Sequence, residues 1–147
     1  MSHFINRRPT LGNCAACHRL LLRGIDDGLP HRVDPTPLTP LGELHARLAS
    51  RQTYGLVAGY LAHRDQHRIR GDTTTGRPTV LADHRCQPWP PDPSHIDTTR
   101  VAHVAQLLDR LTGETATADG DDENALFLLA TNLGARVIDI TNHTPPF

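Results

Sequence analysis

All three cysteines of this chain fall in two short stretches, "CAAC" at residues 14–17 and "HRC" at residues 84–86, and this spacing limits the fold more than any other feature. Two intervening residues let Cys14 and Cys17 converge on one point from a single turn. On an extended strand, positions i and i+2 project from the same face, so His84 and Cys86 can converge in the same way. Four such donors suit structural zinc, which takes a tetrahedron of thiolates at ~2.3 Å and imidazole nitrogens at ~2.0 Å. An odd number of cysteines argues against a disulfide framework. The expected ligands are therefore Cys14, Cys17, His84 and Cys86, with His18, then His95 or His31, as alternatives for the fourth. The competing reading of the C-x-x-C is a redox pair or two small buried hydrophobes, but no thioredoxin-like βαβ pattern follows Cys17.

A site filled by four protein ligands has no open position for water or substrate, so the expectation is a structural Zn2+ and a chain that is not an enzyme. Binding such an ion contributes an apparent ~10–16 kcal/mol in small zinc modules. That would offset a lean core, since only 37% of the residues are hydrophobic and 4% aromatic, with twelve prolines and eleven glycines. No apolar run follows the first arginines and none reaches ~18 residues, so a soluble, cytoplasmic protein without a membrane partner is expected.

The fold class read from the sequence is α+β: a zinc-clipped antiparallel sheet with one crossing helix, followed by a small element of two helices and a strand. Four prolines between Pro88 and Pro93 mark a boundary, giving a zinc-ribbon-like domain at 1–87, a linker at 88–96 and a helical α/β element at 97–147 packed on the first. Thr39 and Pro40 start a helix whose apolar stripe is Leu41, Leu44 and Leu48, running to about Arg51. "TYGLVAG", "YLAHRDQHRIRG" and "PTVLADHRC" read as strands, with "GDTTTG" as a hairpin turn. Asp97 caps a helix carrying Val101, Val104, Ala105, Leu108 and Leu111 that stops at Gly113. A second helix follows at about 121–133, then the strand "RVIDI".

The succession "CAACHRLLLRGIDDG", "VDPTPLTPLGE", "RQTYGL", "HRIRG" and "VLADHRC" resembles an uncharacterised group of small cysteine-pair, zinc-ribbon-like proteins from actinobacteria and their mobile elements. The resemblance covers residues 14–87, through C-x-x-C, V-D-x-x-P-L-x-x-L-G-E, R-x-T-Y and H-R-C. It implies the same metal assignment to Cys14, Cys17, His84 and Cys86, and no particular activity.

Three functions compete. Strand alternation would put Arg64, Gln66, Arg68 and Arg70 on one face, an arginine row for nucleic-acid phosphates with Tyr54 or Tyr60 nearby for stacking. The charge distribution permits this, with twelve arginines against seven carboxylates up to Gln87 and three against nine beyond it. A protein–protein adaptor or regulatory role is the alternative, the oppositely charged halves facing each other or different partners. A zinc-supported HNH-like nuclease is third. "ADHRC" offers Asp83 and His84, but the histidine would be consumed as a ligand, and Asn124 and His143 are too remote to complete the pattern. His63 and His67 lack the glutamate of helical zinc enzymes, Arg64 standing in its place, and no small-molecule substrate is evident.

Overall fold

A computed structural model describes residues 6–86 and 92–118, with side chains through residue 113 in the last helix. The expected helix at 121–133 and the "RVIDI" strand lie outside the described residues. The chain divides into two compact units, Met1–Val104 and Ala105–Phe147, and everything that builds the candidate site belongs to the first.

The α+β class is observed, but with two three-stranded antiparallel sheets in place of one. The first is a meander of β1 (Arg7–Asn13), β2 (Leu20–Asp26) and β3 (Leu29–Val33). Asp27 and Gly28, at φ 50° and 78°, form the tight turn between β2 and β3. Two consecutive residues at positive φ match the right-handed twist of a hairpin, and only Asp, Asn and Gly enter that region cheaply. The second sheet, in the order β5-β4-β6, joins β4 (Thr53–Val57), β5 (Tyr60–His63) and β6 (Thr79–Ala82). Its own hairpin turns through Ala58 and Gly59, at φ 50° and 80°. Beyond β6 the chain stitches the sheets together: Val33 pairs with Asp83, and the His84 amide donates to the Arg32 carbonyl at 2.7 Å. Leu21, Leu22, Val33, Val80 and Leu81 are fully buried in these strands.

Helix α1 (Pro40–Leu48) starts where expected, Thr39 accepting from the Gly42 amide at 3.0 Å with Pro40 in the first turn. It ends at Leu48, three residues before the expected end, because Ser50 turns into the left-handed region at φ 59°. Its orientation corrects the expected stripe. Leu41, Leu44 and Leu48 are 46%, 53% and 74% exposed, and the buried residues are Gly42, Glu43 and Ala46. Two contacts impose this rotation. A Cβ on Gly42 would sit 2.3 Å from the His95 carbonyl oxygen, so the helix approaches residues 92–97 through its glycine. Glu43 is also drawn inward to a buried arginine described below.

"YLAHRDQHRIRG" is corrected from one strand to a strand and a helix. β5 ends at His63, Asp65 accepts from the Arg68 amide at 2.8 Å, and α2 runs Gln66–Thr75. "GDTTTG" is therefore the last turn of α2 and its stop at Gly76 (φ 84°), not a hairpin. No residue of α2 is buried, so hydrophobic periodicity gave no sign of a helix; the cap residue is its main local signal. Segment 92–97, itself part of the first unit, packs against the start of α1 through a 3-10 turn at Pro93–His95, a Leu38–Ile96 bridge and a bond from the Thr39 amide to the His95 carbonyl at 2.9 Å. Asp97 caps the turn at Thr99, not the following helix, and α3 begins at Val101 and continues past Gly113 to Ala118. Val104, Leu108 and Leu111 of the expected stripe are buried, joined by Leu107.

Candidate metal centre

Two segments 72 residues apart bring the cysteines together. The "CAAC" turn follows β1, and its shape is fixed by backbone bonds at 2.9 Å from the Cys14 amide to the Arg19 carbonyl and from the His18 amide to the Cys14 carbonyl. His18 completes the turn at φ 59°. Residues 84–86 extend the stitch beyond β6. Cys14 Sγ lies 3.4 Å from Cys86 Sγ, Cys17 Sγ lies 3.3 Å from His84 Nε2, and Cys86 Sγ lies 3.5 Å from the same nitrogen. The four donor atoms all fall within 4.8 Å of one another. A tetrahedron with zinc bond lengths places sulfurs ~3.8 Å apart and sulfur and nitrogen ~3.5 Å apart, so the donor set fits an ion of that size. No disulfide forms among the three cysteines.

The surroundings favour a cation. His84 Nδ1 lies 2.6 Å from Asp34 Oδ1, which leaves Nε2 for the cluster. A ligating histidine held through its other nitrogen by a carboxylate is the usual supporting arrangement of metal sites. Asp34 is itself fixed by Arg51 at 2.9 Å, and Arg51 also donates to the Asp83 carbonyl. Arg19 braces the other side, donating to Cys17 Sγ at 3.5 Å and to the Arg85 carbonyl at 2.6 Å.

The thiols do not titrate alike. Amide N–H groups of Cys17 and Ala16, then the Cys86 thiol, bring Cys14 down to about 6. Cys17 is lowered by the hydrogen bond from Arg19. Cys86 is pushed up to about 11, first by hydrogen bonding of its thiol to Cys14 and Cys17 and then by burial, with repulsion from those two sulfurs adding to the same direction. Burial opposes the charged form of His84, but Asp34 outweighs it and raises the pKa.

No family model matches the chain, and comparison with curated proteins and with solved structures gives no match.

All four sequence-predicted ligands meet, and the alternatives do not. The His18 ring is outside the donor group, His31 stacks on Tyr54 with ring centroids 4.3 Å apart, and His95 packs on His45 at 4.4 Å. The arginine row is dispersed. Arg64 is 2% exposed and grips Glu43 and Asp72, each at 2.6 Å, while Arg68 and Arg70 lie exposed on α2. Glu43 in turn receives Arg77 at 3.1 Å and the Thr53 hydroxyl at 3.2 Å, a buried network that the sequence did not reveal. Nor does the sequence mark Asp34, whose position before a proline in "VDPTP" suggests only extended backbone. No described helix is long and apolar enough to cross a membrane.

Proposed function

We propose that Cys14, Cys17, His84 and Cys86 hold a structural zinc ion, and that the first unit is a non-catalytic binding module built on it. The observation that carries this is the convergence of four donors from two distant segments, with the second nitrogen of the imidazole already held by Asp34. Thiolates with imidazole select zinc over hard cations such as magnesium or calcium. When bound, the ion supplies a cross-link and no reaction. His84 spends Nε2 on the cluster and Nδ1 on Asp34, so it keeps no nitrogen with which to activate water. This weighs against the HNH-like reading, and Asp83 is partly engaged by Arg51 at 3.5 Å.

Nucleic acid is the favoured partner, but not through Arg64, which is buried and neutralised by Glu43 and Asp72. A second reading, a protein adaptor, is favoured by the exposed leucines on α1. Metal analysis of the purified full chain tests the central claim. About one zinc per chain is expected, with loss of metal in Cys14→Ser and His84→Ala. A folded wild type without metal, or with an ion other than zinc, would falsify it.

A further inference from the structure

Two groups stand out among the thirteen arginines of the first unit. Arg51, Arg64, Arg68 and Arg77 reach carboxylates. Arg7, Arg8, Arg23 and Arg32 are exposed, pair with no carboxylate among the described residues, and all line one open groove of about 800 Å³ beside the β1–β2–β3 sheet, in which Asp83 is the one carboxylate residue of the lining.

The strand register makes this clustering specific. Arg23 stands directly opposite Arg32, and Thr10 stands opposite Arg23 on the other side. Arg7 is paired with Ile25, two residues along β2, so it belongs to the same face. Like charges directly opposite each other destabilise a sheet, and an anion between them relieves the repulsion. The backbone also makes room for the arrangement. A Cβ on Gly12 would lie 2.8 Å from Arg23 Nε, so the guanidinium rests over a bare α-carbon.

Planar guanidinium groups match the oxygens of phosphate, and their exposure favours one kind of phosphate ligand. Small-molecule sites enclose ~70–90% of the ligand surface. An open groove with solvent-facing arginines suits a polymer whose charge recurs along its length. We infer that the groove at β1–β2–β3 binds the phosphodiester backbone of a nucleic-acid strand, with Arg23 and Arg32 as its central contacts. This deepens the binding-module reading and moves the contact surface from α2 to the first sheet.

The test is fluorescence anisotropy of the zinc-loaded full chain with a labelled single-stranded oligonucleotide of about a dozen residues, at ~50 and ~200 mM salt. The expected result is binding that falls steeply with salt. In Arg23→Gln/Arg32→Gln it weakens at least about tenfold, and the slope of log K against log salt flattens by ~1.4, the loss of two phosphate contacts. The thermal midpoint of that variant should be unchanged or higher, because a like-charge pair is gone. Arg70→Gln, on α2, should bind as the wild type does. Absence of binding at low salt, wild-type affinity in the double variant, an equal loss in Arg70→Gln, or equal affinity for a glutamate-rich peptide would each overturn the inference. Zinc content of the same samples separates the two proposals. Zinc-loaded protein that ignores the oligonucleotide sinks this one alone, and groove-dependent binding by metal-free protein sinks the other alone.

Discussion

Asp34 and Arg64 show how single side chains set the character of this protein. Asp34 touches no donor sulfur, yet it fixes which nitrogen of His84 faces the cluster. Asp34→Asn should therefore weaken metal affinity by ~10–100-fold while the chain stays folded, as measured by competition with a chromophoric chelator. Arg64 is the reverse case, a charge enclosed with its partners. Burial disfavours the guanidinium, but Asp72 and Glu43 more than compensate and raise its pKa. Arg64→Ala would take from Glu43, 5% exposed, its closest partner, leave it Arg77 and the Thr53 hydroxyl beside a void, and should cost about 3 kcal/mol in denaturant unfolding, the low end for breaking a buried ion pair. The ligands were legible because C-x-x-C and H-x-C place donors by local geometry alone. Asp34, Glu43 and Arg64 were not, since their roles depend on partners 50, 21 and 8 residues away in sequence.

Helices α1 and α2 differ in how much of each could be read in advance. The start of α1 was visible in Thr39 and Pro40, but its rotation was decided by Gly42 against the His95 carbonyl. Gly42→Ala should cost about 1–3 kcal/mol, as overpacking does, with the change confined to α1 and residues 92–97 in amide-exchange maps. α2 has no buried residue and is held at its start by Asp65 and through the Arg64–Asp72 pair. The Arg68 amide bond lowers the Asp65 carboxyl below its ordinary range. The unfolded chain thus takes up that proton first as pH falls. The contribution of the cap is full above the ordinary carboxylate value of ~3.9 and drains away as pH drops through the lower folded one. Amide protection in α2 should fall over that window before the strands respond, and Asp65→Ala should abolish the step. Alternating arginines in "HRDQHRIRG" imitate a strand's period because an exposed helix carries no apolar rhythm to contradict it.

For the molecule as a whole, the class was legible and the number of sheets was not. Short apolar runs separated by glycines announce strands, but nothing local tells which strands share a ladder, and β1 has little alternation to mark it. The stitch of Val33 to Asp83 and His84 to Arg32 makes the metal segments neighbours, so loss of the ion should loosen both sheets together. A chelator should lower the thermal midpoint of the zinc-loaded chain, and added zinc should restore it by about 1.4 kcal/mol of stability per tenfold rise in free ion above the dissociation constant. A midpoint indifferent to free zinc would separate the fold from the metal. The same closure has a mechanical side. With zinc bound as proposed, Cys14 and Cys86 share the ion, and tension applied to the chain ends would pass from residue 14 to residue 86 through metal–thiolate bonds and bypass the 72-residue span between them. An unfolding motor or a protease that threads the zinc-loaded chain from either end should stall at that cross-link until the ion is stripped, so under the proposed zinc site the lifetime of the first unit against such machinery should follow zinc dissociation, not the strength of its hydrophobic core.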